Sequence, residues 1–247
     1  TDRWILSRLS RTIDRVDHAY DEYKMNEAIR LVYDFTWADF CDWYIEFAKT
    51  RFYGDDMEDR AIAQSVSVYV MREVLKLLHP YCPFITEELW AHFKTSDEGM
   101  MISTPWPTAD SNMIKDNIEN EIQILMDVIS TVRNIRASLN VSPGKEASLT
   151  IRGEDDVCKT LSKHKDYLRR LAKLDEIQMG KEQKKPPKSA TAVIKGLELF
   201  VPLADLIDIN KEIGRLENQI QDMNGRLAAV NLNLENKNFV ERAPENI

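Results

Sequence analysis

The sequence predicts a mainly α fold: a helical bundle, then a small α+β module, then the first helix of a coiled-coil arm. Three observations carry this. Over the first 94 residues apolar side chains recur at three and four while Pro and Gly sit at the joints. From Glu146 the period drops to two. From Leu206 a heptad seam runs without a miss. The divisions fall at 1–140, 141–204 and 205–247.

In the bundle, Ile5, Leu9, Thr12, Val16, Ala19 and Tyr23 form one helical stripe. Asn26 is the expected N-cap of a second helix that runs to about Phe52, where "YGDD" ends it. Its aromatics, Phe35, Trp37, Phe40, Trp43, Tyr44 and Phe47, point almost everywhere, which predicts a central helix. A third spans Met57 to His79 and stops before Pro80. "PFITEELWAHF" makes a short fourth, and a fifth covers Ile118 to Leu139 after the loop holding "STPWP". Beyond it, "EASLTIR" alternates as a strand, and "TAVIKGLELFVPL" reads as two strands hinged at Lys195 and Gly196. Two short helical stretches lie between, with "GKEQKKPPKSA" as an exposed loop. The final seam is Leu206, Ile209, Ile213, Leu216, Ile220, Met223, Leu227, Val230 and Leu234. A lone helix cannot bury such a stripe, so a second helix is expected, from residues absent here or from another molecule. "NFVERAP" reads as the turn towards it, and the chain is expected to be a piece cut within a helical hairpin.

Composition narrows the function. No run approaches the roughly 18 to 20 apolar residues of a membrane span and the start lacks a signal peptide, so a cytoplasmic protein without membrane contact is expected. Cys41, Cys82 and Cys158 stand apart in an odd count, which argues against disulfides and paired zinc ligands. His79 and Cys82 in "HPYC" are only two potential ligands. No phosphate-cradling glycine loop occurs, so neither a catalytic nor a metal residue is assigned. The net charge of −8 argues against nucleic acid until it is resolved along the chain: residues 159–188 carry ten basic side chains against four acidic ones. Local sign decides, because fields are screened beyond about 8 Å.

Candidate binding residues follow from cations set in unexpected places. Projected at about 100° per residue, Arg8, Arg11 and Arg15 fall between about 80° and 140° from Arg3, with Trp4 at about 100°, a face separate from the apolar one. Arginines beside an exposed ring suit unpaired bases; a solvated face is the alternative. In the fifth helix Arg136 falls in the middle of the apolar stripe with Arg133 beside it, and Lys145 follows the "VSPGK" break. These cations either compensate the helix dipole over the core or project towards phosphate. Lys181, Lys184 and Lys185 of the exposed loop, and Lys211, Arg215 and Arg226 of the last helix, complete the candidates. Asp39, Asp42 and Glu46 share one helical face and are expected to pair with neighbouring arginines.

Together "DRWILSRL", "FTWADFCDWYIEFAK", "LHPYCPFITEELW", "RNIRASLNVSPGK", "LFVPLADLIDINKEIGRLENQI" and "NFVERAP" resemble the valyl-tRNA synthetases of the bacterial type, over the whole chain. The bundle alone would fit the isoleucine, leucine or methionine enzymes of class I; the terminal arm is what looks specific to valine. The resemblance implies an anticodon-binding bundle and an arm docked on the tRNA body. It also implies a monomer that binds valine-accepting tRNA, with ATP- and Mg-dependent activation, transfer and editing in upstream domains. This piece would itself need no cofactor. Asn218 and Asn224 make the arm less charged than that pattern suggests, which disfavours a dedicated homodimer. The rival is a free-standing RNA-binding or scaffold protein whose coiled coil pairs with a copy of itself.

Overall fold

The computed structural model describes residues 1–204 and 206–235. Helices α1 (Asp2–Asp21), α2 (Met25–Asp34), α3 (Ile45–Phe52), α4 (Met57–Leu78), α5 (Pro83–Trp90) and α6 (Asp116–Ser138) come first. Strand β1 (Ala147–Arg152), helices α7 (Asp155–Lys163) and α8 (Lys165–Ala172), strands β2 (Leu174–Met179), β3 (Ser189–Ile194) and β4 (Leu197–Pro202), and helix α9 (Ile209–Glu235) follow. The fold is thus mainly α with a small mixed sheet. Two compact units divide it: Thr1–Ser130 with Lys159–Leu171, and Thr131–Cys158 with the described residues from Ala172 on.

In the first unit α1 packs against α2, the segment after it and α4. Ile5, Leu9, Ile13 and Val16 are each at most 2% exposed, and at about 2 kcal/mol per side chain they anchor α1 far more strongly than any surface ion pair. Tyr23 leaves the predicted stripe. It lies past the helix end with φ 59° and is 86% exposed. The second helix differs in kind from expectation, because Phe35–Tyr44 between α2 and α3 is π-helical. Its wider turn places Phe35, Phe40 and Tyr44 in the core, with the Phe40 and Tyr44 rings stacked at 5.9 Å. The helix is not buried all round: Trp37 is 55% exposed and stands 6.3 Å from Tyr33, itself 59% exposed. Lys24, not Asn26, is the N-cap of α2. Asp56 caps α4, accepting from the Glu58 and Asp59 N–H groups at 3.0 Å each, a cap worth about 1 kcal/mol. A smaller cluster of Leu75, Trp90 and Met101 closes the α4–α5 end, where Arg72 lies 4.5 Å above the Trp90 ring and binds Glu98. His79 Nδ1 is spent on Thr86 Oγ1 at 2.8 Å and the Cys82 thiol on the Leu78 carbonyl.

The second unit holds a four-stranded sheet in the order β2-β1-β4-β3. β1 runs parallel to β2 and antiparallel to β4, which is antiparallel to β3. Leu149, Ile151, Leu199 and Val201 are at most 1% exposed and make its core. Lys195 and Gly196, at φ 45° and 79°, form the predicted β3–β4 hinge, a two-residue turn with both φ values positive. β2 was not expected: its buried Leu174 and Ile177 lie three apart, so no alternation announces it. On α9 the seam is exposed, from Leu216 at 42% to Met223 at 61%. The "NFVERAP" turn lies outside the described residues. No described helix is long and apolar enough to cross a membrane, and no three potential ligands among the described residues cluster to hold a metal.

Candidate nucleic-acid interface

A cleft of about 630 Å³ in the first unit is lined by α1 on one side and by α2 with the π-helical segment on the other. Spacings of four and three on α1 bring Arg8, Thr12 and Arg15 to it, and two spacings of four on α2 bring Asn26, Arg30 and Asp34. Leu31, Phe35 and Ala38 supply an apolar lining, and Asp39 a carboxylate. The three arginines differ in freedom. Arg8 is held, with Nε 2.8 Å from Asp39 Oδ2 and Nη1 3.3 Å from Glu119 Oε2. Arg15 is exposed and makes no ion pair among the described residues. Arg30 meets Asp34 at 3.6 Å with both side chains more than half exposed, a pair worth a few tenths of a kcal/mol. Burial pushes the Asp39 carboxyl above the usual range, and the neighbouring Arg8 opposes that rise. The cleft therefore combines one held and two exposed cations, an amide, carboxylate acceptors and an apolar wall. Such a set can screen a phosphate while an unstacked base meets the wall and offers its edge.

Only Arg8 and Arg15 of the sequence-predicted residues reach this cleft. Trp4, expected to be an exposed stacking ring, is 2% exposed and packs edge-on against Phe47 at 6.1 Å. The reason is that α1 is covered on more than its apolar stripe. Arg11 binds Asp116 and Glu119 on α6 instead of facing solvent alone. Glu119 also accepts from Ser7, so this face of α1 is fastened to α6. The expected carboxylate pairing holds for Asp39 with Arg8, whereas Glu46 pairs with Lys49.

Arg136 departs furthest from a surface role. Its side chain is 7% exposed and donates to the backbone carbonyls of Lys145 at 2.6 Å, Ser142 at 3.3 Å and Lys173 at 3.4 Å. Desolvation lowers its pKa. It ties the "VSPGK" break back onto the helix end, the packing alternative of the two readings. Arg133 is exposed on the same helix and is engaged within the protein. Lys145 reaches the Leu206 carbonyl at 3.3 Å. Lys181 pairs with Glu154 at 3.1 Å, while Lys184 and Lys185 are exposed. On α9, Lys211 is exposed, Arg215 binds Glu212 and the Ser138 carbonyl, and Arg226 meets Asp222 at 3.0 Å.

Sequence reasoning missed Asn26, Arg30 and Asp34 as one face. Their spacing of four was visible, but Asn26 was assigned to the helix cap, and the opposing wall from α1 is a tertiary fact.

The family described as "Anticodon-binding domain of tRNA ligase" matches residues 2–151, and the family described as "Valyl tRNA synthetase tRNA binding arm" matches residues 208–247. Valine–tRNA ligases of Bacillus cereus (strain ATCC 14579) and Geobacillus stearothermophilus are each 38% identical, over 98% and 100% of this chain. That of Listeria innocua is 36% identical over 100% of it. The chain spans about 28% of the length of each of these curated relatives.

Proposed function

This chain belongs to the anticodon-binding domain family of tRNA ligases, and from that premise we propose that it is the tRNA-recognising part of a valine–tRNA ligase. Its partner is then valine-accepting tRNA. ATP- and Mg-dependent activation of valine, transfer to tRNA and editing reside in upstream domains of the parent polypeptide, with which it acts as a cytoplasmic monomer. The observation that carries the reading is the pair of family matches at opposite ends of one chain, a bundle match and an arm match, with likeness to valine–tRNA ligases between them.

The division of labour follows the chemistry of each part. Residues 1–140 read the anticodon, 141–204 connect, and 205–247 begin an arm along the tRNA body. Within the bundle, the α1–α2 cleft is the candidate anticodon site. An anticodon loop offers bases that are not paired, and the cleft offers what such bases need: Arg15 and Arg30 for the backbone, Asn26 and Asp34 for base edges, and an apolar wall. In the arm, the seam of α9 takes a second helix of the parent polypeptide, leaving Lys211, Arg215 and Arg226 for the tRNA body. Arg11, Arg133, Lys145, Lys181, Lys184 and Lys185 add phosphate contacts outside the cleft, and Trp4 and Arg136 act by holding the protein around such contacts.

Arg15→Ala and Arg30→Ala test the assignment. Both positions are exposed, so the melting temperature stays where it is while affinity for valine-accepting tRNA falls about tenfold for the pair, as the loss of charged contacts implies. Unchanged affinity in the double variant would remove the cleft from the tRNA site.

A further inference from the structure

The loop 180–188 joins β2 to β3, the two outer strands of the sheet, and so crosses from one sheet edge to the other. It carries Lys181, Lys184, Lys185 and Lys188 against the single acid Glu182. Both ends are tied down: the Gly180 N–H donates to the Ile151 carbonyl at 3.1 Å, and the Leu203 N–H to the Lys188 carbonyl at 3.0 Å. Ser189 Oγ donates to the Pro186 carbonyl at 2.8 Å. Pro186 and Pro187 fix their own φ and bias Lys185 towards an extended backbone. Lys188 sits at φ 51°. A loop constrained in this way holds its cations in a set order.

Lys181 pairs with Glu154 at 3.1 Å; the other three lysines are not tied in this way. Lys184, Lys185 and Lys188 are exposed and make no ion pair among the described residues. Glu198, whose carboxylate feels Lys185, is already bound to Arg152. Lysine is a hydrated point charge without arginine's fork, so a row of lysines suits a line of phosphates and reads no base edge. Aromatic side chains, on which bases stack, are absent from the loop.

We propose that the lysine loop 180–188 is a sequence-independent clamp on the phosphate backbone of tRNA, separate from the cleft between α1 and α2. The proposal rests on the reading of this chain as a tRNA-binding part. It acts by counterion release, so its contribution is a salt dependence and not a preference among tRNAs.

The test is a salt titration of the full chain and of Lys184→Gln/Lys185→Gln/Lys188→Gln, against valine-accepting tRNA and the same tRNA with a changed anticodon. The expected result is that the slope of log K against log salt becomes shallower by about 2 to 3, roughly one per lysine. Affinity for both tRNAs falls by the same factor, so their ratio stays as in the parent chain, and the melting temperature is unmoved. The corresponding Lys→Arg triple variant restores the slope. An unchanged slope in the Gln variant overturns the clamp, as does a change in the ratio between the two tRNAs. Failure of the anticodon reading looks different: the parent chain binds both tRNAs equally while the slope still responds to the lysines.

Discussion

Arg136 shows how one position can satisfy a pattern and still serve a different purpose. Its place in the middle of the apolar stripe of α6 was visible in the sequence, and that place alone leans towards packing. What the sequence could not supply were the acceptors, since the Lys145 and Lys173 carbonyls are brought there by the chain beyond the helix. Arg136→Ala removes the guanidinium from the Lys145 carbonyl, while the Lys173 and Ser142 carbonyls keep the Ala147 and Lys145 N–H groups at 3.0 Å each, and is expected to cost about 1 to 3 kcal/mol in urea unfolding. Arg136→Lys, with one ammonium for three carbonyls, recovers part of it. Glu98 offers a pH test at the same scale. Its hydrogen bonds from Arg72 and the Thr95 N–H hold its carboxyl at about 2, below the ordinary 4.5. A carboxyl depressed on folding stabilises above its unfolded value and loses that contribution as pH falls, so the contact is complete above about 4.5 and released towards 2. The indole N–H resonance of Trp90, which donates to the Gly99 carbonyl beside this loop, should shift across that window, and Glu98→Gln should abolish the shift.

Among the elements, periodicity was informative wherever one face of a regular helix or strand is buried, and failed where geometry changed. The α1 stripe and the Lys195–Gly196 hinge follow from spacing and turn chemistry. The π-helical segment does not, because a 3.6-residue period was assumed through it. That assumption also put Asp39, Asp42 and Glu46 on one face, although Asp39 turns to Arg8 and Glu46 to Lys49. β2 stayed hidden because only Leu174 and Ile177 of its early residues face inward. Two substitutions separate a packed seam from an open one. Leu199→Ala in β4, at 0% exposure, should cost about 2 to 5 kcal/mol. Leu227→Asp in α9, at 59% exposure, should change the stability of this chain by no more than about 0.5 kcal/mol. A large loss at Leu227 would mean that the α9 seam is already covered in solution.

For the whole molecule, net charge was a poor guide and its distribution a better one. A chain at −8 holds three arginines in one cleft and a row of lysines in one loop, and short screening lengths let both meet an anion locally. The candidate cleft was half legible: Arg8 and Arg15 fall together on a helical projection, but Trp4 beside them is core, and the second wall needed the fold. Nuclease footprinting of valine-accepting tRNA bound to this chain tests most directly the proposal that the α1–α2 cleft holds the anticodon loop. Protection of the anticodon-loop nucleotides is expected, lost in the Arg15→Ala/Arg30→Ala variant while protection of the tRNA body remains. A bound tRNA whose anticodon loop stays fully open to cleavage would contradict it.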